Sequence, residues 1–110
     1  MTQLTQTFAA LADDTRLAMV ERLMAEGELP AGALADTAPI SAPAISRHLK
    51  VLREAGIVEQ RIAGTHRFYR VNREAMARIS RWTIDHRSFW DASLNKLDSL
   101  LATDPKGDIK

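Results

Sequence analysis

The 110-residue sequence predicts a mainly helical domain carrying one small β-hairpin. Three observations lead to that expectation. Apolar residues recur at three- and four-residue spacing in two stretches of the first half. Two runs rich in β-branched and aromatic residues flank Gly64. Helical spacing then resumes from Arg73 and continues to Leu101.

The elements follow in order. Phe8 and Leu11 predict a short first helix, and Asp13 is suited to cap the next one, because its carboxylate accepts from unpaired backbone N–H groups at the positive end of the helix dipole. Leu17, Val20, Leu23 and Met24 form that helix's apolar stripe to about Glu26, and Gly27 ends it. Pro30 is placed to open a short helix through Leu34 and Ala35. Ala38-Pro39 breaks it, since a proline disfavours helical backbone in the residue before it.

Ser41 is the next N-cap candidate, with Pro43 in the first turn, where a missing N–H costs little. Ile45, Leu49 and Leu52 make the buried stripe of this helix, while Ser46, Arg47, Lys50 and Arg53 occupy much of its remaining surface. Gly56 closes it. The runs Ile57–Ile62 and Arg67–Val71 read as strands, and Gly64 supplies the positive φ of a hairpin tip. The last stretch places Met76, Ile79, Trp82, Trp90, Leu94, Leu97 and Leu101 roughly on one side. Its 29 residues would span about 43 Å as one helix, against about 34 Å for the diameter of a compact chain of this length. The helix must therefore bend near Arg87-Ser88, or project and find a partner. One domain is expected over 1–103, with a flexible breaker-rich tail over 104–110.

Two helices joined by a tight turn, the second basic and followed by a two-stranded ribbon, describe a winged helix-turn-helix. The charge supports this. The net formal charge of +1 looks unsuited to a polyanion partner, but it is segregated. From Ala44 to Arg81 nine Lys or Arg face three acids, a net of +6, while the rest of the chain carries −5. The alternative is an ordinary solvated surface. Cysteine is absent, which removes disulfides, thiolate metal ligands and a cysteine nucleophile together. No signal peptide is visible at Met1–Thr5 and no apolar run approaches a membrane span, so the expected setting is the cytoplasm, with no membrane partner.

Phe8-Ala9-Ala10-Leu11-Ala12-Asp13-Asp14-Thr15-Arg16-Leu17 closely resembles the opening signature of the ArsR (arsenical-resistance repressor) family of bacterial transcription factors. The stretch Ser41–Val58, with Ser46-Arg47-His48-Leu49-Lys50 at its centre, is similar to that family's recognition helix and its exit. Gly64 with Arg67 and Tyr69 is similar to its wing. The three blocks span about residues 8 to 72 and match in order and spacing. The resemblance implies a homodimeric repressor that binds a pseudo-palindromic operator and is released by a signal. Many members sense metal through cysteines or through an Asp/His/Glu set on the last helix. Here the cysteines are missing, and Asp85, His86 and Asp91 do not reproduce the paired Asp-x-His and His-x-x-Glu spacing, so no metal or other cofactor is expected. Asp14 stands where the family usually has proline. Pro39 lies where a glycine commonly makes the turn between the two helices, which leaves the angle of the recognition helix open.

A helix in the major groove reads bases near its N-terminus. Those residues are Ala42, Pro43, Ser46 and Arg47, of which only Arg47 can make a bidentate contact to guanine. The plainer role for Arg47 is a phosphate contact. Ser41 more naturally caps the helix and presents N–H groups to a phosphate. Lys50, one turn beyond Ser46, suits a phosphate, and Arg61, His66 and Arg67 suit a wing meeting the backbone or an adjacent minor groove. Arg53, Arg73, Arg78 and Arg81 are candidates for pairs within the protein, Tyr69 for the core and His48 for packing or capping. Phe8, Trp82, Trp90, Leu94, Leu97 and Leu101 are expected in a dimer interface built from the first and last helices. Trp82, Phe89 and Trp90 could instead line a pocket for a small-molecule effector.

Ser46-Arg47-His48 is no catalytic arrangement, because adjacent helix positions point to different faces. No Gly-rich phosphate loop or HExxH pair occurs, so no enzyme is expected. A protein-interaction module using the basic face for an acidic protein, and a signal-independent DNA-binding factor, are the alternatives. Salt-sensitive binding to random duplex DNA separates the first of them from a DNA binder.

Overall fold

The computed structural model describes residues 2–102, so the tail expected at 104–110 lies outside the described residues. These form two compact units, the first up to Arg78 and the second from Ile79.

The first unit opens with α1 (Gln3–Leu11) and α2 (Asp14–Glu26). Asp13 caps α2 as expected, its carboxylate accepting the Arg16 N–H at 3.0 Å. Gly27 ends α2 at φ +82°, a backbone state that favours glycine. The apolar stripe of α2 differs from the expectation. Met19, Val20 and Leu23 are buried, while Leu17 and Met24 are 42% and 61% exposed. At about 100° per residue, Leu17 and Met24 lie together on one edge of a broad apolar arc. The core meets the arc's other part, centred on Met19 and Leu23.

Leu29–Pro30 then forms a strand, β1, that the sequence does not announce. It is followed by α3 (Ala31–Leu34), with Pro30 at its N-cap, and by a 3-10 turn at Ala35–Thr37. The expected short helix is therefore present, ending in a tighter turn. Ala38 is extended, in keeping with the proline after it.

The next helix is α4 (Ala42–Glu54). Its buried residues are the expected Ile45, Leu49 and Leu52. Gly56 follows at φ +76°, and the Ile57 N–H returns to the Leu52 carbonyl at 3.0 Å, the long-range bond of a Schellman ending.

Strands β2 (Val58–Ala63) and β3 (His66–Val71) make the hairpin, with Ala63 opposite His66. Gly64, at φ +63°, takes the first central position, where a type II′ turn requires a positive φ. The ribbon gains a third member: β1 pairs antiparallel with β3 through Leu29↔Tyr69 and Pro30↔Phe68, giving the order β1-β3-β2. A proline is tolerated there because β1 is an edge strand. The core joins Met19, Val20, Leu23, Leu34, Ile45, Leu49, Leu52, Ile57, Val58 and Tyr69. Helix α5 (Arg73–Asp85) begins in this unit, with Ala75 buried and Met76 packed against the core. The Asn72 side-chain oxygen accepts the Glu74 N–H at 2.8 Å and so caps its start.

The second unit contains the end of α5, then His86, then α6 (Arg87–Ala102). The expected single stretch is thus two helices, interrupted one residue before Arg87. The His86 N–H and its Nδ1 both meet the Trp82 carbonyl, at 3.1 and 2.8 Å. A side chain competing for a helix carbonyl in this way locally disturbs the ladder. The helical bonds resume from the Trp90 N–H to the His86 carbonyl at 3.1 Å.

Candidate nucleic-acid interface

Helix α4 provides one face of the site. Ser41 sits at its N-cap, where the hydroxyl accepts the Ala44 N–H at 3.3 Å, and Pro43 in the first turn leaves no donor unmet. Since Ile45, Leu49 and Leu52 turn inward, Ala42, Pro43, Ser46, Arg47 and Lys50 are left exposed between the start of the helix and Lys50. Among the described residues the Arg47 side chain makes no hydrogen bond or ion pair. Its planar fork of donors is available to a carbonyl-and-nitrogen edge or a phosphate. Lys50 lies 4.0 Å from Glu54 with both side chains well exposed, a pair weak enough to yield to a polyanion.

The hairpin separates its cations. Arg67 and His66 are exposed beside the tip, and Arg67 has no ion pair among the described residues. Arg70 pairs with Glu59, directly opposite on β2, at 3.0 Å. Arg61 reaches across β3, over the Phe68 ring at 4.6 Å to its centroid, and meets Glu28 through two bonds of 2.7 and 3.2 Å. Those bonds hold the Glu28 carboxyl below its usual value and raise Arg61 further. The structure thus places Arg61 on the sheet face as a brace between β2 and the residue before β1. Nothing in the sequence signals this pair, since the two residues lie 33 positions apart. Tyr69 is a core residue whose hydroxyl accepts from Gln60 Nε2 at 2.8 Å.

Two arginines of α2 support this face: Arg16, which lies in the Phe8–Leu17 signature block, and Arg22, which no sequence motif singles out. Arg16 Nε donates to the Ala10 carbonyl at 2.6 Å, and its Nη1 reaches His48 Nδ1 on α4 at 3.3 Å. Arg22 meets Glu26 at 2.8 Å, and its Nη1 donates to the Ala33 carbonyl and to Thr37 Oγ1 at 3.3 Å. His48 is therefore a packed histidine, 3.8 Å from the Asp13 carboxylate. The backbone N–H of Arg16 is the main cause that lowers the Asp13 carboxyl.

In the second unit the residues expected at an interface remain on the surface. Trp90, Leu94, Leu97 and Leu101 are all exposed, Leu94 by 57% and Leu101 by 60%, and Trp82 is half-buried. Phe89 stands edge-on to Trp90, with centroids 5.3 Å apart. In the first unit Phe8 is 39% exposed on α1. Among the described residues no group of three or more His, Asp or Glu could hold a metal ion. No helix among them is long and apolar enough to cross a membrane.

Residues 11–61 match the model of a helix-turn-helix domain family. The chain is 44% identical to an HTH-type transcriptional regulator of Mycobacterium tuberculosis over 103 residues, covering 94% of this chain and 91% of that protein. It is 43% identical to the arsenical resistance operon repressor of Escherichia coli over 67 residues, covering 61% of this chain and 57% of the repressor. A solution structure from Mycobacterium bovis superposes with a TM-score of 0.62 at 27% identity, over 77% of this chain and 81% of that one. It is a homodimeric winged helix-turn-helix DNA-binding domain, described as "a possible ArsR-family transcriptional regulator".

Proposed function

The chain belongs to the ArsR family of DNA-binding transcriptional regulators, and from that premise we propose that it works as a homodimeric repressor on a pseudo-palindromic operator. One observation carries the reading: α4 and the hairpin tip offer Arg47, Lys50, His66 and Arg67 on the surface. A helix of this kind fits the major groove, and a hairpin beside it meets the adjacent backbone or minor groove. Arg47 and Ser46 read base edges, with Ala42 and Pro43 in reach of a thymine methyl. Ser41, Lys50, His66 and Arg67 meet phosphates. Arg61 joins them only by exchanging Glu28 for a phosphate.

The second copy is expected against the apolar stripe of α6, Trp90, Leu94, Leu97 and Leu101, with Trp82 on α5 and Phe8 on α1 as further contributors. The homodimeric state of the M. bovis relative supports this. The protein acts as a regulator in the cytoplasm rather than as an enzyme. With no cysteine in the chain, a releasing signal has to act without a thiolate, and a small-molecule effector is one such signal. In the first unit an open groove of about 1080 Å³, lined by Leu23, Met24 and Met76 beside the charged Glu28, Glu59 and Arg70, is one place for a small-molecule effector.

Titration of the purified chain with random-sequence duplex DNA at several salt concentrations tests the reading. Log affinity should fall linearly with log salt concentration. Binding to acidic protein surfaces but not to duplex DNA would replace it with the interaction-module reading.

A further inference from the structure

We propose that Arg16 and Arg22, both on α2, are positioning residues that set the two helices of the helix-turn-helix at their reading angle without touching DNA. The inference rests on the regulator function and asks what fixes the orientation of α4. The connection itself supplies little. Between Thr37 and Ser41 the only backbone bond of the turn among the described residues is from the Ile40 N–H to the Ala38 carbonyl, at 2.9 Å, and Pro39 contributes no donor. The Ile45, Leu49 and Leu52 stripe packs α4 against the core, and hydrogen bonds from neighbouring elements add directed constraints to that non-directional burial.

The directed contacts come from α2. The Arg16 side chain holds the Ala10 carbonyl at the end of α1 and His48 Nδ1 midway along α4, and the Arg16 backbone is fixed by the Asp13 cap. A guanidinium only donates, so in this contact His48 Nδ1 is the acceptor. His48 follows Arg47 directly and precedes Lys50 by two residues, so the roll of α4 at His48 sets where both point. Six residues along α2, Arg22 does the same for the other helix. It takes the Ala33 carbonyl near the end of α3 and Thr37 Oγ1 at the end of the 3-10 turn, and Glu26 holds its Nε. Each fork makes contacts on more than one element, which a point-charge ammonium cannot copy.

The test uses the full chain and two duplexes of equal length, one selected by the wild-type protein from a random pool and one of random sequence. Arg16→Lys and Arg22→Lys keep the charge and lose the fork. Each should lower the ratio of selected to random affinity roughly tenfold, while random-duplex affinity and its salt slope stay near wild type. His48→Asn, whose side-chain oxygen takes the place of Nδ1 and keeps an acceptor for Arg16, should retain most of the ratio. His48→Leu should lose it, and adding Arg16→Lys should cost nothing more. An unchanged ratio in folded variants, or equal losses on both duplexes, would overturn the proposal. Should the wild-type chain select no sequence, the regulator reading fails instead. Residual dipolar couplings of the DNA-free Arg16→Lys protein then decide this one. A reorientation of α4 relative to α2 supports it, and couplings superimposable on wild type refute it.

Discussion

Single side chains in this fold carry separable tasks. Arg47 is exposed on α4 with no partner among the described residues, whereas Arg61 is engaged by Glu28 and Arg70 by Glu59. Arg47→Ala is therefore expected to weaken binding to a selected operator by about 1–3 kcal/mol and binding to random duplex far less, as competition titrations would show. Equal losses would reassign it to phosphate. Arg67→Ala should weaken both duplexes alike and reduce the salt slope by about 1; an unchanged slope would remove Arg67 from the phosphate contacts. The Arg61 brace gives a pH prediction. The Glu28 carboxyl titrates lower in the fold than in the unfolded chain, because Arg61 hydrogen-bonds its charged form. Its contribution is therefore present above the unfolded carboxyl's titration and is lost as pH falls through the folded one. Denaturant unfolding of wild type and Glu28→Gln should differ near neutrality and converge in acid. A difference that persists or grows in acid would contradict the assignment.

At the scale of elements, ends and turns were the most legible features. Asp13, Ser41, Gly27, Gly56 and Gly64 act through backbone chemistry that their own residue types dictate, and each stands where that chemistry requires. Ser41→Ala should cost about 1 kcal/mol in denaturant unfolding through loss of the α4 cap. A cost near zero would mean that water serves the Ala44 N–H equally well. Strand β1 was not legible, because two residues with a proline carry no alternation, and their pairing depends on β3 some 40 positions away. The buried edge of α2 differs from its sequence pattern for a similar reason. Its apolar arc is wider than the core it meets, and only the packing of the other helices selects Met19 over Leu17 and Met24. The candidate interface divides the same way. The exposure of Arg47 and Lys50 followed from the α4 stripe, whereas the Arg61–Glu28 brace and the Arg16 and Arg22 contacts link residues that local sequence pattern does not relate.

Over the whole molecule, the segregation of charge separates a basic middle from acidic ends. Trp90, Leu94, Leu97 and Leu101 of α6 are exposed in the single chain, which is the basis for proposing this stripe as the dimer contact. Leu94→Lys with Leu97→Lys should shift a dimer to monomer in sedimentation at micromolar concentration. The same pair should weaken operator binding far more than random-duplex binding, because two half-sites would no longer be read together. A wild-type chain already monomeric under those conditions would contradict the dimer. The most direct measurement is selection of bound sequences from a random duplex pool by the purified chain. A dimeric winged-helix regulator should enrich a pseudo-palindrome whose half-site centres lie about 10–10.5 base pairs, or a multiple of that, apart. A pool that emerges unenriched, or enriched in a single half-site without symmetry, would contradict it.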